Sequence, residues 1–477
     1  MERLHPRNLR AARPGVTLPA YDRDALQPGI VHLGAGAFHR AHQAVYTDDA
    51  IANGGGAWGI IGVSLRSVDV ARQMNPQAGL YSVLSEDRGD AELRVVGSIC
   101  QVLALGDGPG AVIDALARQD IRIVTLTITE KGYTLAANGK GLDREDPAVV
   151  ADLANPEAPS TAVGVLALGL RARVAAGGAP LTLLSCDNLA GNSRLLQAVL
   201  ADYLGDSFPE VLEWLQRCAT FPCSVVDRIV PAMTEAGRAT RAERLGLRDE
   251  AAVSTEPFSQ WIVEDDFAAG RPDWTSAGVQ LVHDIRPFEA IKLRLLNASH
   301  SAIAYSGLLA GLDTVDAVMA DTELRDYVGA LMVEELVPAL EAPAGFDLAG
   351  YAGELLARFS NPCLAHRCEQ IAMDGTEKIR QRWVPTLLGG PAPLLRRALA
   401  AWCYLVLCTE VPLDDPRRSQ LLALRESFET MGVRVRALLG CVQLEPRGTG
   451  NFDELALQTE HNLDTIAREG VRALLAH

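Results

Sequence analysis

The segment from Ile30 to Ile51 limits the possible folds of this chain more than any other. A short apolar stretch leads into Gly34-x-Gly36, and the residues from Ala41 to Ile51 have the pattern of a helix. This order is typical of the dinucleotide-binding unit of a parallel α/β sheet, where glycines let the backbone approach a pyrophosphate. His39 stands where GxGxxG has its third glycine, and glycine pairs after strands are also ordinary tight turns.

Further apolar segments predict the rest of a sheet. Strands are expected at Trp58–Leu65, Ile121–Ile128, Pro180–Ser185, Phe221–Arg228, Glu256–Glu264 and Gly278–His283. An antiparallel hairpin of Tyr81–Glu86 and Glu92–Ile99 is expected as an insertion at the sheet edge.

Strand patterns stop at Pro287, and helical patterns follow over 288–310, 322–340, 350–358, 364–374, 393–408, 414–431 and 453–474. The prediction is an α/β protein with a Rossmann-like N-terminal domain of mixed sheet, residues 1–285, and a mostly α-helical C-terminal domain, residues 286–477.

Composition restricts the classes of partner. The formal net charge of −16 argues against nucleic acid and anionic membranes. We find no run of about 18 apolar residues and no export signal, so a cytoplasmic protein is expected. A monomer or weak homo-oligomer is expected separately. The nine cysteines form no CxxC pair, which favours reduced thiols. His39 and His42 lack the acidic partners of a metal site, so we expect no metal.

The helix predicted from Pro287 to Tyr305 is apolar nearly all round and carries few polar residues. On a regular helix Glu289, Lys292, Asn297 and His300 fall within an arc of roughly 140°. An amine in an apolar pocket exchanges protons near neutral pH, because burial penalises its charged form. An amide and an imidazole beside it would hold an alcohol or carbonyl oxygen. The alternative is a solvated Lys–Glu pair one turn apart.

Two motifs resemble the polyol-specific long-chain dehydrogenase family, also called the mannitol dehydrogenase family. They read GAGAFHRAHQAVYTDD, from Gly34, and FEAIKLRLLNASHSAIAYSG, from Phe288. The resemblance implies an NAD-dependent, zinc-independent oxidoreductase in which Lys292 transfers the proton and Glu289 relays it to solvent. It assigns Asn188 and Asn297 to binding the oxyanion, although an Asn at the first of these positions could instead cap a helix.

Cofactor contacts are also implied by the resemblance. They are expected at Gly34, Gly36, Ala37, Phe38, Thr129, Glu130 and Lys131, the last three lying in the motif TITEKGY. The alternative is that a residue of this motif belongs to an ordinary polar loop and does not contact the cofactor. After the strand Trp58–Leu65, Asp69 would bind the ribose hydroxyls of NAD, whereas Arg66 would suit the 2′-phosphate of NADP. NAD is expected, mainly from the family.

Substrate contacts are expected on both domains. Asp227, in VDRI, is assigned by resemblance, with an ion pair to Arg228 as the alternative. The motif HRCEQIAMDGTEKIRQR resembles the fructuronate reductase (D-mannonate oxidoreductase) branch. If it is helical, Arg367, Gln370, Asp374 and Lys378 share an arc of roughly 80°, although Gly375 disfavours a continuous helix and a solvated charged face is the alternative.

Arg367 is the candidate for binding a carboxylate bidentately, and Gln370 stands where mannitol-oxidising members carry an arginine. The resemblance therefore predicts reversible NAD(H)-dependent reduction of D-fructuronate to D-mannonate in a cleft between the domains. The alternatives are a mannitol 2-dehydrogenase or related polyol/ketose oxidoreductase, and a dinucleotide-binding sensor without catalysis.

Overall fold

The computed structural model describes residues 1–87, 90–136, 139–363, 366–444 and 452–475. The chain forms two compact units, Met1–Ile285 and Arg286–His477. The strands, all in the first unit, are β1 (Gln27–Leu33), β2 (Trp58–Ser64), β3 (Tyr81–Asp87), β4 (Asp90–Val96), β5 (Ile99–Ala104), β6 (Ile123–Leu126), β7 (Leu181–Ser185), β8 (Ala219–Thr220), β9 (Ser224–Asp227), β10 (Val253–Thr255), β11 (Gln260–Glu264) and β12 (Gln280–Val282).

A six-stranded parallel sheet, in the order β5-β2-β1-β6-β7-β8, organises the first unit. Its helices are α1 (Ala37–Ala41), α2 (Gln43–Ala52), α3 (Asp69–Met74), α4 (Gly110–Ala117), α5 (Pro147–Ala154), α6 (Ala162–Ala175), α7 (Asn192–Ser207), α8 (Pro209–Cys218) and α9 (Glu235–Leu245). Val31 and Leu33 face one core and Ile30 the other, so both faces of the sheet are buried. Burial on both faces is why these strands read as continuous apolar runs.

The hairpin prediction needs a correction. β3 and β4 pair antiparallel, but with β10 they form a separate three-stranded sheet rather than an edge of the large one. The second strand ends at Val96, and Ile99 begins β5, an edge strand of the parallel sheet. At the break, the Gly97 N–H donates to Asp48 and the Ser98 hydroxyl donates to the Ala44 carbonyl. These contacts, remote in sequence, let the chain change sheets. β9, β11 and β12 form the third sheet.

The second unit is helical in its described part. The helices are α10 (Arg286–Ile291), α11 (Asn297–Leu309), α12 (Val315–Ala320), α13 (Thr322–Ala330), α14 (Leu348–Phe359), α15 (Cys368–Ala372), α16 (Gly375–Arg382), α17 (Val384–Gly389), α18 (Pro393–Cys408), α19 (Arg418–Arg425), α20 (Met431–Cys441), α21 (Phe452–Glu469) and α22 (Val471–Leu475). Two π-helical segments, Lys292–Leu296 and Leu331–Leu336, interrupt the pattern. The predicted fold class is confirmed.

The helices predicted over 364–374 and 414–431 have different bounds. Leu364 and Ala365 lie outside the described residues, and Asp374 adopts a left-handed conformation (φ 55°) between α15 and α16. A Cβ on Gly375 would lie 2.8 Å from the Trp402 indole nitrogen, so this close approach requires glycine. α19 is shorter than predicted, and α20 was not predicted. Within the described ranges, no helix has the length and hydropathy needed to span a bilayer.

Candidate active site

The glycine turn lies between β1 and α1. Gly34 has φ +99°, and a Cβ there would lie 2.0 Å from the Thr127 carbonyl oxygen, so only glycine fits. Gly36 precedes α1, and both it and Ala37 are exposed, while Phe38 is half-buried. The ring of His39 stacks on that of His32, with centroids 3.4 Å apart. The third glycine of the usual motif is therefore replaced by a buried histidine contact.

Arg66 and Asp69 follow β2 and are both exposed. The carboxylate of Asp69 accepts a hydrogen bond from the Ser67 hydroxyl at 2.5 Å, at the start of α3. Both side chains are accessible near the end of a parallel strand. The expected preference for NAD over NADP therefore stays a prediction.

Asp187 fixes the loop that carries Thr129, Glu130 and Lys131. Its carboxylate accepts the N–H groups of Ile128 (3.0 Å) and Thr129 (2.8 Å) and the Tyr133 hydroxyl (2.7 Å). Burial raises the pKa of Asp187, and these hydrogen bonds oppose the rise. Thr129 is held at φ +63°, and Glu130 and Lys131 are exposed. Sequence reasoning missed Asp187, although an acid directly after a buried strand is a recognisable signal.

The segment from Asp187 to the first residue of α7 carries two asparagines with different environments. Asn188 is exposed at the end of β7, whereas Asn192 is fully buried. The Asn192 amide donates to the carbonyls of Asp187 (3.0 Å) and Ser224 (2.9 Å) and accepts from the N–H groups of Ser193 and Ser224. Asn192 is therefore a structural residue. Asp227 is buried at the end of β9, in the three-stranded sheet of β9, β11 and β12.

A π turn in the second unit brings Lys292 and Asn297 onto one face. The Asn297 N–H donates to the Lys292 carbonyl, five residues earlier. On a regular α-helix these two residues would point about 140° apart, whereas the wider π turn, with its hydrogen bond over five residues, brings them closer to the same side of the helix. Lys292 and Glu289 are half-buried. The sequence-based helical wheel thus understates how closely Lys292 and Asn297 are aligned.

Side chains from later helices support the backbone after the π turn. Arg382 donates to the Asn297 carbonyl (3.1 Å) and the Ser301 hydroxyl (2.9 Å), and Trp383 donates to the Ala298 carbonyl (3.0 Å). Asn297 and His300 are themselves buried. Among the described residues, the Asn297 Nδ2 and the His300 Nε2 have no hydrogen-bond partner. Buried polar atoms without a protein partner are expected where a ligand or water binds.

Basic side chains surround His300. Its ring lies 4.5 Å from that of Phe359 and 5.5 Å from that of His366, centroid to centroid. The pKa of His300 lies well below its ordinary value, first because of burial and then because of the basic groups nearby, which are His366, Arg382, Arg358 and Lys378. Burial and Lys378 also lower the pKa of His366. Sequence reasoning missed His366 as a site residue, although it directly precedes Arg367.

Arg367 and Gln370 belong to the segment that follows His366. The Arg367 side chain is 59% exposed, and its Nη2 lies 3.4 Å from the Glu369 carboxylate. Arg367 and Gln370 line a cavity of about 430 Å³ with Tyr305 and Trp402. Neither Asn297 nor His300 is among the described residues that line it. Lys378 instead donates to the Ile371 carbonyl at 3.1 Å and contributes to the charge around His300.

Across the part of the chain that the structure describes, no group of three or more His, Cys, Asp or Glu side chains could hold a metal ion. Amine, amide and imidazole groups, such as those in and after the π turn, are groups that can stabilise charge on a reacting oxygen.

Comparison with known proteins identifies the family. Residues 28–276 match the mannitol dehydrogenase Rossmann domain, and residues 284–409 match the mannitol dehydrogenase C-terminal domain. The chain is 38% identical to the D-mannonate oxidoreductase of Escherichia coli (strain K12), over 89% of this chain and 90% of that protein. It is 36% identical to a mannitol 2-dehydrogenase of Aspergillus fumigatus, over 99% and 98% of the two chains.

Solved structures agree with this assignment. The mannitol 2-dehydrogenase of Pseudomonas fluorescens, solved as a ternary complex with NAD and D-mannitol, is 34% identical and superposes with a TM-score of 0.86, over 100% of this chain and 99% of the other. A D-sorbitol dehydrogenase in substrate-free form is 31% identical, with a TM-score of 0.88 over 99% and 100% of the two chains. The chain belongs to the mannitol dehydrogenase family of oxidoreductases, which confirms the resemblance seen in its sequence.

Proposed function

We propose that this protein catalyses the reversible, NAD(H)-dependent reduction of D-fructuronate to D-mannonate without a metal. The observation that carries the proposal is the π turn that aligns Lys292 with Asn297, one helical turn before the buried His300. The name of one relative, a D-mannonate oxidoreductase, supports the choice of substrate, while mannitol 2-dehydrogenases of similar identity support the alternative of a polyol/ketose oxidoreductase.

Lys292 acts as the general acid in reduction and the general base in oxidation. When NADH is bound, it supplies a hydride to the carbonyl carbon, and negative charge develops on the carbonyl oxygen. The Lys292 ammonium gives its proton to that oxygen, and Glu289 exchanges protons with solvent. The Asn297 Nδ2 donates a hydrogen bond to the same oxygen, and the neutral His300 donates through Nε2 in the tautomer that carries its proton there. Asn188 and Asp227 keep their family-assigned roles as oxyanion and substrate contacts.

The glycine turn is assigned to the dinucleotide. Gly36 and Ala37 are exposed after β1, and because the Gly36 N–H already donates to the Gly34 carbonyl, the Ala37 N–H at the start of α1 is the group proposed to meet a pyrophosphate. Gly34, Phe38 and the loop of Thr129, Glu130 and Lys131 complete the proposed contacts. NAD is preferred over NADP because Asp69 would bind ribose hydroxyls, and a relative solved with NAD supports this choice. A polyol:NADP oxidoreductase of Gluconobacter oxydans, 38% identical over 80% of this chain, supports the NADP alternative, for which Arg66 would be the residue to test.

Charge around His300 favours an acidic substrate. Arg358, Lys378 and Arg382 place positive charge near this imidazole, in a chain whose formal net charge is −16. A uronate has a carboxylate that such groups stabilise, and mannitol has none. Arg367 remains a second candidate for the carboxylate contact, although its side chain is largely exposed beside Glu369.

A coupled NADH assay across fructuronate, tagaturonate, fructose and the pentuloses tests the proposal. We expect the highest kcat/KM with a keto-uronate, and loss of activity in Lys292→Ala. Higher efficiency with fructose would replace the uronate reaction by the polyol alternative. NADH binding without turnover of any of these substrates would indicate a dinucleotide-binding sensor.

A further inference from the structure

A hydrogen-bonded cluster lies directly beneath the glycine turn. His32, on β1, is completely buried between the side chains of Thr125 and Thr127. Its Nδ1 lies 2.7 Å from the Thr125 hydroxyl, and its Nε2 lies 2.9 Å from the Thr127 hydroxyl and 3.2 Å from the Gly34 carbonyl oxygen. The Thr127 hydroxyl also donates to that carbonyl at 2.8 Å. Two side chains thus converge on one carbonyl of the turn.

The chemistry of this carbonyl fixes the tautomer of His32. A carbonyl oxygen only accepts hydrogen bonds, so the Nε2 that faces Gly34 carries the proton. Nδ1 then accepts from the Thr125 hydroxyl. Burial lowers the pKa of His32 to about 3, so the ring is neutral at any ordinary pH and keeps this pattern.

The rest of the turn depends on the same carbonyl. The Gly36 N–H donates to the Gly34 carbonyl at 2.6 Å, and the Gly34 N–H donates to the Val63 carbonyl at 2.8 Å. The stacked His39 ties the first helix after the turn to His32. A change in the direction of the Gly34 carbonyl would therefore rotate the peptide groups that precede Gly36 and Ala37.

We propose that His32 and Thr127 are positioning residues that set the Gly34 carbonyl, and through it the backbone N–H groups that meet the dinucleotide. The proposal rests on the proposed function, because that function assigns the turn to NAD(H). His32 has no exposed surface and so cannot touch the cofactor itself; its effect on cofactor affinity can only pass through the turn.

Four variants and one matched control test this assignment. His32→Phe keeps a ring against His39 but removes both nitrogens, while His32→Gln restores a donor near the position of Nε2. Thr127→Val removes the hydroxyl at nearly constant shape, and Thr127→Ser keeps it. The control is Thr182→Val, the same change at a buried threonine of β7 whose hydroxyl contacts Thr220 and the Ala268 N–H instead. NADH affinity is measured by fluorescence titration, with kcat at saturating NADH and the melting temperature of each variant.

We expect His32→Phe and Thr127→Val each to weaken NADH binding by about 3- to 10-fold, which corresponds to the loss of one hydrogen bond. The kcat of each variant should change less than twofold. His32→Gln and Thr127→Ser should bind within about twofold of the wild type. A double variant that combines His32→Phe with Thr127→Val should weaken NADH binding by less than the product of the two single effects, because both side chains act on one carbonyl. Thr182→Val should bind NADH normally even if it melts earlier.

Unchanged NADH affinity in His32→Phe would overturn the proposal, as would losses in His32→Phe and Thr182→Val of equal size, which would mean general destabilisation. An effect in Thr127→Val alone would also overturn it, because it would make Thr127 a direct contact. Failure of the wild type to bind either NADH or NADPH would instead contradict the proposed function.

Discussion

Replacing Asn297 by leucine separates stability from activity in a way that the structure predicts. The Asn297 side chain is buried, and its Nδ2 has no partner among the described residues. A buried donor without a partner costs about 1–3 kcal/mol. Leucine has a similar shape and no donor, so Asn297→Leu should raise the free energy of unfolding of the second unit by about that amount. For a unit of this size, the melting temperature should rise by roughly 2–12 °C.

Activity should change in the opposite direction. If the Asn297 amide binds the developing oxyanion, its loss should lower kcat by about 10²–10³-fold, the usual effect of removing one such donor. The measurements are thermal unfolding followed by circular dichroism and steady-state kinetics with NADH and the preferred ketose or uronate. NADH affinity should not change, because the glycine turn lies in the other unit.

Asn192→Leu is the matched control for this prediction. The Asn192 amide makes four hydrogen bonds in a fully buried position, and leucine there would remove all four, including those to the carbonyl and the N–H of Ser224. We expect a loss of at least about 3 kcal/mol of stability. If Asn297→Leu also lost stability to this extent, the Asn297 amide would be satisfied in the free protein. Activity near the wild-type value would refute its catalytic role.

Four further predictions concern the proton donor, the substrate charge, metal and pH. Lys292→Ala should bind NADH normally but lose about 10²–10⁴-fold in kcat, and retention of more than a tenth of the activity would exclude the general acid–base role. Lys378→Gln should lower kcat/KM for fructuronate by about 10-fold or more but change kcat/KM for fructose much less. The ratio of the two kcat/KM values, measured in Arg367→Ala, decides whether the exposed arginine is the carboxylate contact. EDTA should leave activity unchanged, and restoration of lost activity by added zinc or magnesium would contradict the metal-free mechanism. Below pH 6.5 the unfolded chain protonates His32, whereas the folded chain does not until about pH 3. His32 should therefore lower the free energy of unfolding by up to roughly 1.4 kcal/mol for each pH unit of acidification in this range. Urea titrations at several pH values should show a shallower fall in stability for His32→Phe.

Local patterns in the sequence were enough to predict the fold class. β-Branched and apolar runs such as Ile121–Ile128 predict buried parallel strands because both faces of the sheet are covered. The glycine turn was also predictable, since Gly34 must adopt a positive φ where the backbone passes close to Thr127. Such signals depend on residues that are near each other in the chain.

Other features depend on tertiary contacts that no local pattern contains. A regular helical period was expected through Lys292 and Asn297, but the π turn forms in a helix whose carbonyls accept hydrogen bonds from Arg382 and Trp383, more than 80 positions away. In the same way, the close approach of Gly375 to Trp402 accompanies the break between α15 and α16. Sequence therefore determined which residue types were available and which elements they form. Long-range packing decided which distant side chains hold the backbone after the π turn, because the hydrogen bonds of Arg382 and Trp383 join residues that no local pattern connects.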